Sequence, residues 1–105
     1  MVTKGDYLYD SWGYDQTNVD FCRVISISPT GKTVTCRMVR KRHIEEDEVV
    51  PTTNMVGPTF RLKIKGEYLR GSYPYIPERP DYKRFGLFNV WNGTPVYQTP
   101  AGCGH

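Results

Sequence analysis

Four aspartates, Asp6, Asp10, Asp15 and Asp20, crowd the first twenty residues of the chain, with Ser11 among them. Paired carboxylates can pass a proton as general acid and base, and a serine oriented by a histidine can attack a carbonyl. The second chemistry needs a buried imidazole, and both histidines, His43 and His105, lie in polar segments that read as exposed. The first has a cheaper explanation, because aspartates in turn-prone sequence bond the local backbone. Cys22, Cys36 and Cys103 add thiols, and Cys103-Gly104-His105 brings two ligand types together, but the paired knuckles of a structural zinc site are missing. Pro29-Thr30-Gly31-Lys32 has glycine and lysine but joins two strand-like runs, whereas a phosphate loop needs a strand followed by a helix. The expectation is a protein with no catalytic residues, no metal and no cofactor.

Binding chemistry is better represented. Arg61, Lys63 and Lys65 alternate in one run, and Arg37, Arg40, Lys41 and Arg42 stand in another, so the chain offers cations that can track phosphates. Tyr68, Tyr73 and Tyr75 follow and can stack on bases. Lysines on an edge strand also keep sheets from pairing with one another, a purely protective role. A second group is the aromatic and polar run around Trp12, Tyr14, Asp15, Gln16 and Asn18, joined by Trp91. As an exposed aromatic patch it fits a protein partner. If Tyr14 to Asn18 converge with a basic residue, it fits a small ligand or nucleotide. Asp15 and Asn18 are also the side chains expected to hold that loop through its own amides.

The net charge of +3 is distributed in blocks: residues 1–20 carry −3, 21–44 carry +6, 45–60 carry −4, 61–84 carry +4, and 85–105 are neutral. The adjacent runs Arg40-Lys41-Arg42-His43 and Glu45-Glu46-Asp47-Glu48 read as a charged loop whose signs offset each other.

The elements that must position these groups are strands. Eight Tyr, ten Gly and eight Pro, against few helix formers, in a chain of 105 residues indicate a single all-β domain spanning 1–105. Tyr7-Leu8-Tyr9 opens a strand and Ser11 to Asn18 reads as an ordered loop. Phe21–Ser28 and Thr33–Val39 form a hairpin around Pro29-Thr30-Gly31-Lys32. With Ser28 opposite Thr33, regular alternation pairs Ile27 with Val34, Ile25 with Cys36 and Arg23 with Met38. That puts Phe21, Ile25, Ile27, Val34, Cys36 and Met38 on the core face, and Cys22 and Val24 on the other. Val49-Val50-Pro51 reads as a short strand stopped by proline. Phe60 to Lys65 alternates strictly, with Phe60, Leu62 and Ile64 inward, and Glu67 to Tyr73 pairs back. Residues 74–84, with three prolines, form an extended loop. Phe85–Val90 and Val96–Thr99 flank an Asn92-Gly93 hairpin, and the tail from Ala101 is mobile. About five to seven short strands make a small barrel or rolled antiparallel sheet, closed by the terminal hairpins.

The run SWGYDQTNVDFCRV at Ser11 to Val24 resembles a family of small proteins encoded by phages, prophages and plasmids. The ending NGTPVYQTPAGCGH also fits, and the resemblance spans roughly residues 3–40 and 85–105. Cys22 stands where a second aromatic is more usual. The family brings no established activity, so no residue role is carried over. The resemblance implies viral or mobile-element origin and action in the host cytoplasm. The N-terminus lacks the apolar core of an export signal, and no apolar run is long enough to span a membrane. The expected function is therefore a non-catalytic protein that binds a host target stoichiometrically, with anti-defence proteins among that class. The alternatives are a weak nucleic-acid binder using the basic strand face and a small-ligand or nucleotide module.

Overall fold

The computed structural model describes residues 2–13 and 15–100, and every regular element in them is a β-strand. The strands are β1 (Tyr7–Trp12), β2 (Asn18–Ile27), β3 (Thr33–Glu45), β4 (Glu48–Lys65), β5 (Tyr68–Tyr73), β6 (Arg84–Val90) and β7 (Val96–Tyr97). Each of the first six pairs antiparallel with its sequence neighbour, except that β6 returns to β1, so an all-β barrel of six strands is closed. Closure comes from β1 against β6, not from the two terminal hairpins. β7 lies outside the barrel and extends the sheet from β4.

Alternation decides which side chains fill the barrel. Leu8, Cys22, Val24, Val34, Cys36, Met38, Leu62, Leu69, Tyr73 and Phe88 form its interior. As expected, Leu62 is buried, Phe60 and Ile64 are half-buried, and Arg61, Lys63 and Lys65 are exposed. A second, smaller core lies on the outer surface. There Val19, Phe21, Val39 and Val49 are covered by Tyr7, Tyr9, Trp91 and Val96. Burying each such aliphatic or aromatic side chain contributes about 1.5–3 kcal/mol.

The hairpin of β2 and β3 starts in the expected register, with Ser28 N–H bonded to Thr33 O at 2.9 Å and Ile27 opposite Val34. A β-bulge then intervenes between Val24 and Ser26, with Ile25 the extra residue. Beyond it Val24 faces Cys36, Cys22 faces Met38 and Arg23 faces Arg37. One inserted residue exchanges the two faces of a strand. Cys22 and Val24 therefore join Cys36 inside, while Phe21 and Arg23 turn outward, contrary to regular alternation.

Three further segments differ from expectation. Residues 40–48 are not a loop. β3 and β4 continue as a two-stranded arm, with Lys41 opposite Pro51, Arg42 opposite Val50, His43 opposite Val49 and Glu45 opposite Glu48. Pro51 does not stop its strand; it sits where the register shifts between Val39 and Lys41, so the lost N–H interrupts no regular ladder. Arm and barrel meet at a bulge made by Gly57 and Pro58, between the Arg37–Thr59 and Met38–Val56 pairs. Gly57 adopts φ +75, and a Cβ there would lie 3.1 Å from that of Pro77, so glycine answers both conditions. Finally, the turn at Asn92-Gly93 does not close a hairpin: the chain crosses to the arm, where Val96 pairs with Val49 and Tyr97 with Glu48. The tail from Ala101 lies outside the described residues.

The bulge has a direct readout. Cys22 and Cys36 are both fully buried, and burial also pushes the Cys22 thiol up, so neither offers an accessible thiolate. In a Cys103→Ser background, a water-soluble maleimide should modify both at the slow rate of barrel opening. Rapid native labelling of Cys22 with protection of Cys36 would instead indicate the regular register.

Candidate functional site

The outer surface of β2 to β5 carries the cations. The barrel segments 21–27, 33–39, 56–65 and 68–73 contain Arg23, Arg37, Arg61, Lys63, Lys65 and Arg70, and not one Asp or Glu. Across neighbouring strands Arg23 is paired with Arg37 and Lys63 with Arg70, like charge directly against like. Such pairs cost a few tenths of a kcal/mol to about 1 kcal/mol each. The two ion pairs found among the described residues, Arg40–Glu78 and Arg84–Asp10, lie elsewhere, so none of these six cations is held in an ion pair there. Arg23 Nε donates to Gly5 O at 3.2 Å and its guanidinium lies 5.1 Å from the Tyr7 ring centre. Arg37 Nε donates to Gly57 O at 2.7 Å. Each bond fixes the guanidinium through Nε and leaves the terminal nitrogens to an external acceptor. Lys65 stands opposite Tyr68, which is 39% exposed and so available for stacking.

The seven basic residues singled out in the sequence thus divide. Arg37, Arg61, Lys63 and Lys65 share the barrel face, whereas Arg40, Lys41 and Arg42 are on the arm. Arg40 Nη2 bonds Glu78 Oε2 at 2.8 Å, and that bond holds the Glu78 carboxyl below the usual range. Lys41 Nζ donates to Val19 O and Gln98 Oε1, and partial burial lowers its pKa. Arg23 and Arg70 complete the face and escaped the sequence reading. Arg23 was hidden by the bulge, and Arg70 by the mixed run around it.

Nor do the aromatic and polar residues of the conspicuous motif form one patch. Ser11 and Trp12 finish β1 and Asn18 begins β2, directly opposite Trp12. Trp12 points toward one end of the barrel interior. Trp91 lies on the opposite side of β1, in edge contact with Tyr7 and Phe21 at 6.0 and 6.4 Å, its Nε1 bonded to Thr94 O at 2.7 Å. Asp15 and Gln16 are exposed, and Tyr14 lies outside the described residues. Among the described residues, the bonds that tie the segment down come from distant residues, and none comes from the side chains of Asp15 and Asn18. Thr17 N–H donates to Thr99 Oγ1 at 2.7 Å, Thr99 N–H to Thr17 O at 3.0 Å, and Val19 N–H to Gln98 Oε1 at 3.1 Å.

Beneath Trp12 two of the aspartates singled out in the sequence, Asp10 and Asp20, meet Tyr73 and Arg84 in a polar cluster that was not expected. Asp10 and Asp20 are direct cross-strand neighbours, and both reach the hydroxyl of Tyr73, at 3.0 and 2.7 Å. Arg84 donates through Nε to that hydroxyl and through Nη2 to Asp10 Oδ2, each at 3.1 Å. Trp12 Nε1 donates to Asp20 Oδ2 at 2.7 Å, and the Arg84 guanidinium stacks 4.2 Å from the Trp12 ring centre. Asp10 is 3% exposed, and burial raises its pKa although Tyr73 and Arg84 favour its charged form. Burial and the adjacent carboxylates push the Tyr73 phenol far upward, so it acts as a donor and not as a base. Gly86 makes the cluster possible, since a Cβ there would sit 2.5 Å from Asp10 Oδ2 and 2.6 Å from Tyr73 Cε1. The mutually satisfied bonding is that of a structural tie. The described residues hold no group of three or more metal-ligating side chains.

The cluster sets a pH dependence and a cost. Because the native Asp10 pKa lies above its unfolded value of 3.8, the folded state takes up a proton first as pH falls. Wild type should therefore gain stability relative to Asp10→Asn between neutral pH and about 4, read from melting temperatures across that range. Tyr73→Phe, which strands both carboxylates, should lose about 1–3 kcal/mol, and Gly86→Ala should lose a similar amount by overpacking.

Compared with protein-family models, with curated proteins and with solved structures, the chain matches none.

Proposed function

We propose that this protein is a non-catalytic binding protein whose outer barrel face takes a single strand of nucleic acid. The observation that carries the reading is the outer surface of the barrel segments 21–27, 33–39, 56–65 and 68–73, which lack Asp and Glu and carry six cations in no ion pair among the described residues. A protein bears the repulsion of like charges in register most readily when an anionic partner relieves it. Along β4, Arg61, Lys63 and Lys65 recur every 6.6–7 Å or so, about the reach of one nucleotide in an extended strand. Tyr68 beside Lys65 supplies an aromatic surface that is indifferent to base identity. Cations at strand spacing beside an aromatic ring suit a flexible, extended single strand, whose sequence is read weakly. The phage or mobile-element origin and the host cytoplasm belong to this proposal through the motif resemblance, with stoichiometric action on a host target as its setting.

Fluorescence anisotropy with a labelled oligothymidylate of about fifteen nucleotides tests the reading. Six phosphate contacts on a single strand give a log–log salt slope near −4. The triple substitution Arg61→Gln, Lys63→Gln, Lys65→Gln should reduce the slope by about 2 and weaken binding at low salt. Arg40→Gln with Arg42→Gln should change little. Binding that is insensitive to salt, or equal in the triple variant, would remove nucleic acid as the ligand.

A further inference from the structure

We propose that the depression between the β2–β3 turn and the end of β4 is a pocket for the terminal phosphate monoester of the strand bound on the basic face. The inference rests on the nucleic-acid reading and places the strand's end within it. The depression measures about 390 Å³ and is lined by Lys32, Thr33, Lys63, Ile64 and Lys65. Local structure brings the three lysines together. Ser28 Oγ accepts from the N–H groups of Lys32 and Thr33, at 3.3 and 3.2 Å, which holds the turn in shape. Ile64 N–H donates to Lys32 O at 2.9 Å, so the turn is tied to β4 and Lys32 is brought beside Lys63 and Lys65. Thr33 lies directly opposite Lys63. Lys63 and Lys65, two apart on one strand, share the outer face.

Charge decides what such a pocket takes. Three lysines line one depression, no Asp or Glu among the described residues lines it with them, and neither ion pair found there involves them. Glu67, the acid nearest in sequence, borders a different depression with Val2, Leu69 and Asn89. A phosphodiester inside a strand carries one negative charge, whereas a phosphate monoester carries about 1.5–2 and presents three acceptor oxygens. Three cations exceed what one linking phosphate can balance, and they suit a terminal one. Lysine fits the task, because its compact charge and rotating donors can follow a phosphate that turns at a chain end, where arginine's fixed fork favours one orientation. Position agrees with charge. The row Arg61, Lys63, Lys65 finishes at this depression, since β4 ends at Lys65 and the chain turns through Gly66 into β5. A nucleic-acid strand that follows β4 meets its last cations here.

Fluorescence anisotropy tests it, with oligothymidylates of one length that end in a 5′-phosphate, in a 3′-phosphate or in hydroxyl groups alone. One of the phosphorylated strands should bind about fivefold or more tightly than the hydroxyl-ended strand at low salt, with a log–log salt slope steeper by about 0.7 for each extra charge neutralised. Lys32→Gln should abolish that advantage and leave binding of the hydroxyl-ended strand as it was. Lys32 is exposed, and the bonds that hold the turn use its backbone atoms, so the variant keeps the fold. Equal affinity for all three strands, with the steep salt dependence retained, would overturn the terminal pocket and leave the nucleic-acid reading standing. A phosphate advantage that survives in Lys32→Gln would overturn it as well. Thymidine 5′-monophosphate binding as tightly as the phosphorylated strand would assign the depression to a free nucleotide instead. Failure of every strand to bind would remove the reading itself and this inference with it.

Discussion

At one end of the barrel the hydroxyl of Tyr73 lies between the carboxylates of Asp10 and Asp20, and Arg84 bonds both that hydroxyl and Asp10. These four side chains come from β5, β1, β2 and β6, so one polar knot joins four of the six barrel strands. It stands in for the backbone ladder that β1 and β6 lack beyond Tyr9. The knot is stable only when complete. Each partner is buried or half-buried, and removing one leaves a desolvated polar group in the others, which costs more than the bond contributed. Gly86 is part of the arrangement by having no side chain.

A single barrel of this size has little interior, and two bulges let its strands serve more than one surface. The bulge at Ile25 gives β2 an inward Cys22 and Val24 and an outward Phe21 and Arg23. The bulge at Gly57 and Pro58 lets β4 leave the barrel and build the arm. The outward Phe21 then seeds the second core, which Trp91 and Val96 cover. Because the crossing segment settles there, it leaves the surface of β2 to β5 uncovered. The free basic face follows from where the chain's last strand is placed.

Strict alternation made Phe60 to Lys65 legible, since three apolar and three basic residues admit one assignment of faces. The turn at Pro29 to Lys32 was legible for its backbone preferences. Ile25 was not, because an isoleucine in a bulge is as suited to a strand as its neighbours, and the extra residue is revealed only by what lies opposite. The charged run 40–48 was misread because side-chain polarity says little about whether the backbone is paired. Trp12 and Trp91 were grouped for their chemistry, though a strand runs between them. The polar knot joins residues up to 74 positions apart. Its sequence signal was the crowding of Asp10 and Asp20 among the N-terminal aspartates, but nothing there pointed to Tyr73 and Arg84.

The bonds from Thr17 and Val19 to Thr99 and Gln98 span 82 and 79 residues. A chain leaving the ribosome at about 5–20 residues per second exposes the β2–β3 hairpin seconds before its outer cover exists. Until residues 96–99 emerge, Phe21, Val39 and Val49 have no lid, and β1 has no β6 to close against. Folding of this barrel therefore waits on synthesis and then on a long-range closure, which places it among slow β topologies that form in milliseconds to seconds. In a cell, that interval is when the nascent protein depends most on chaperones.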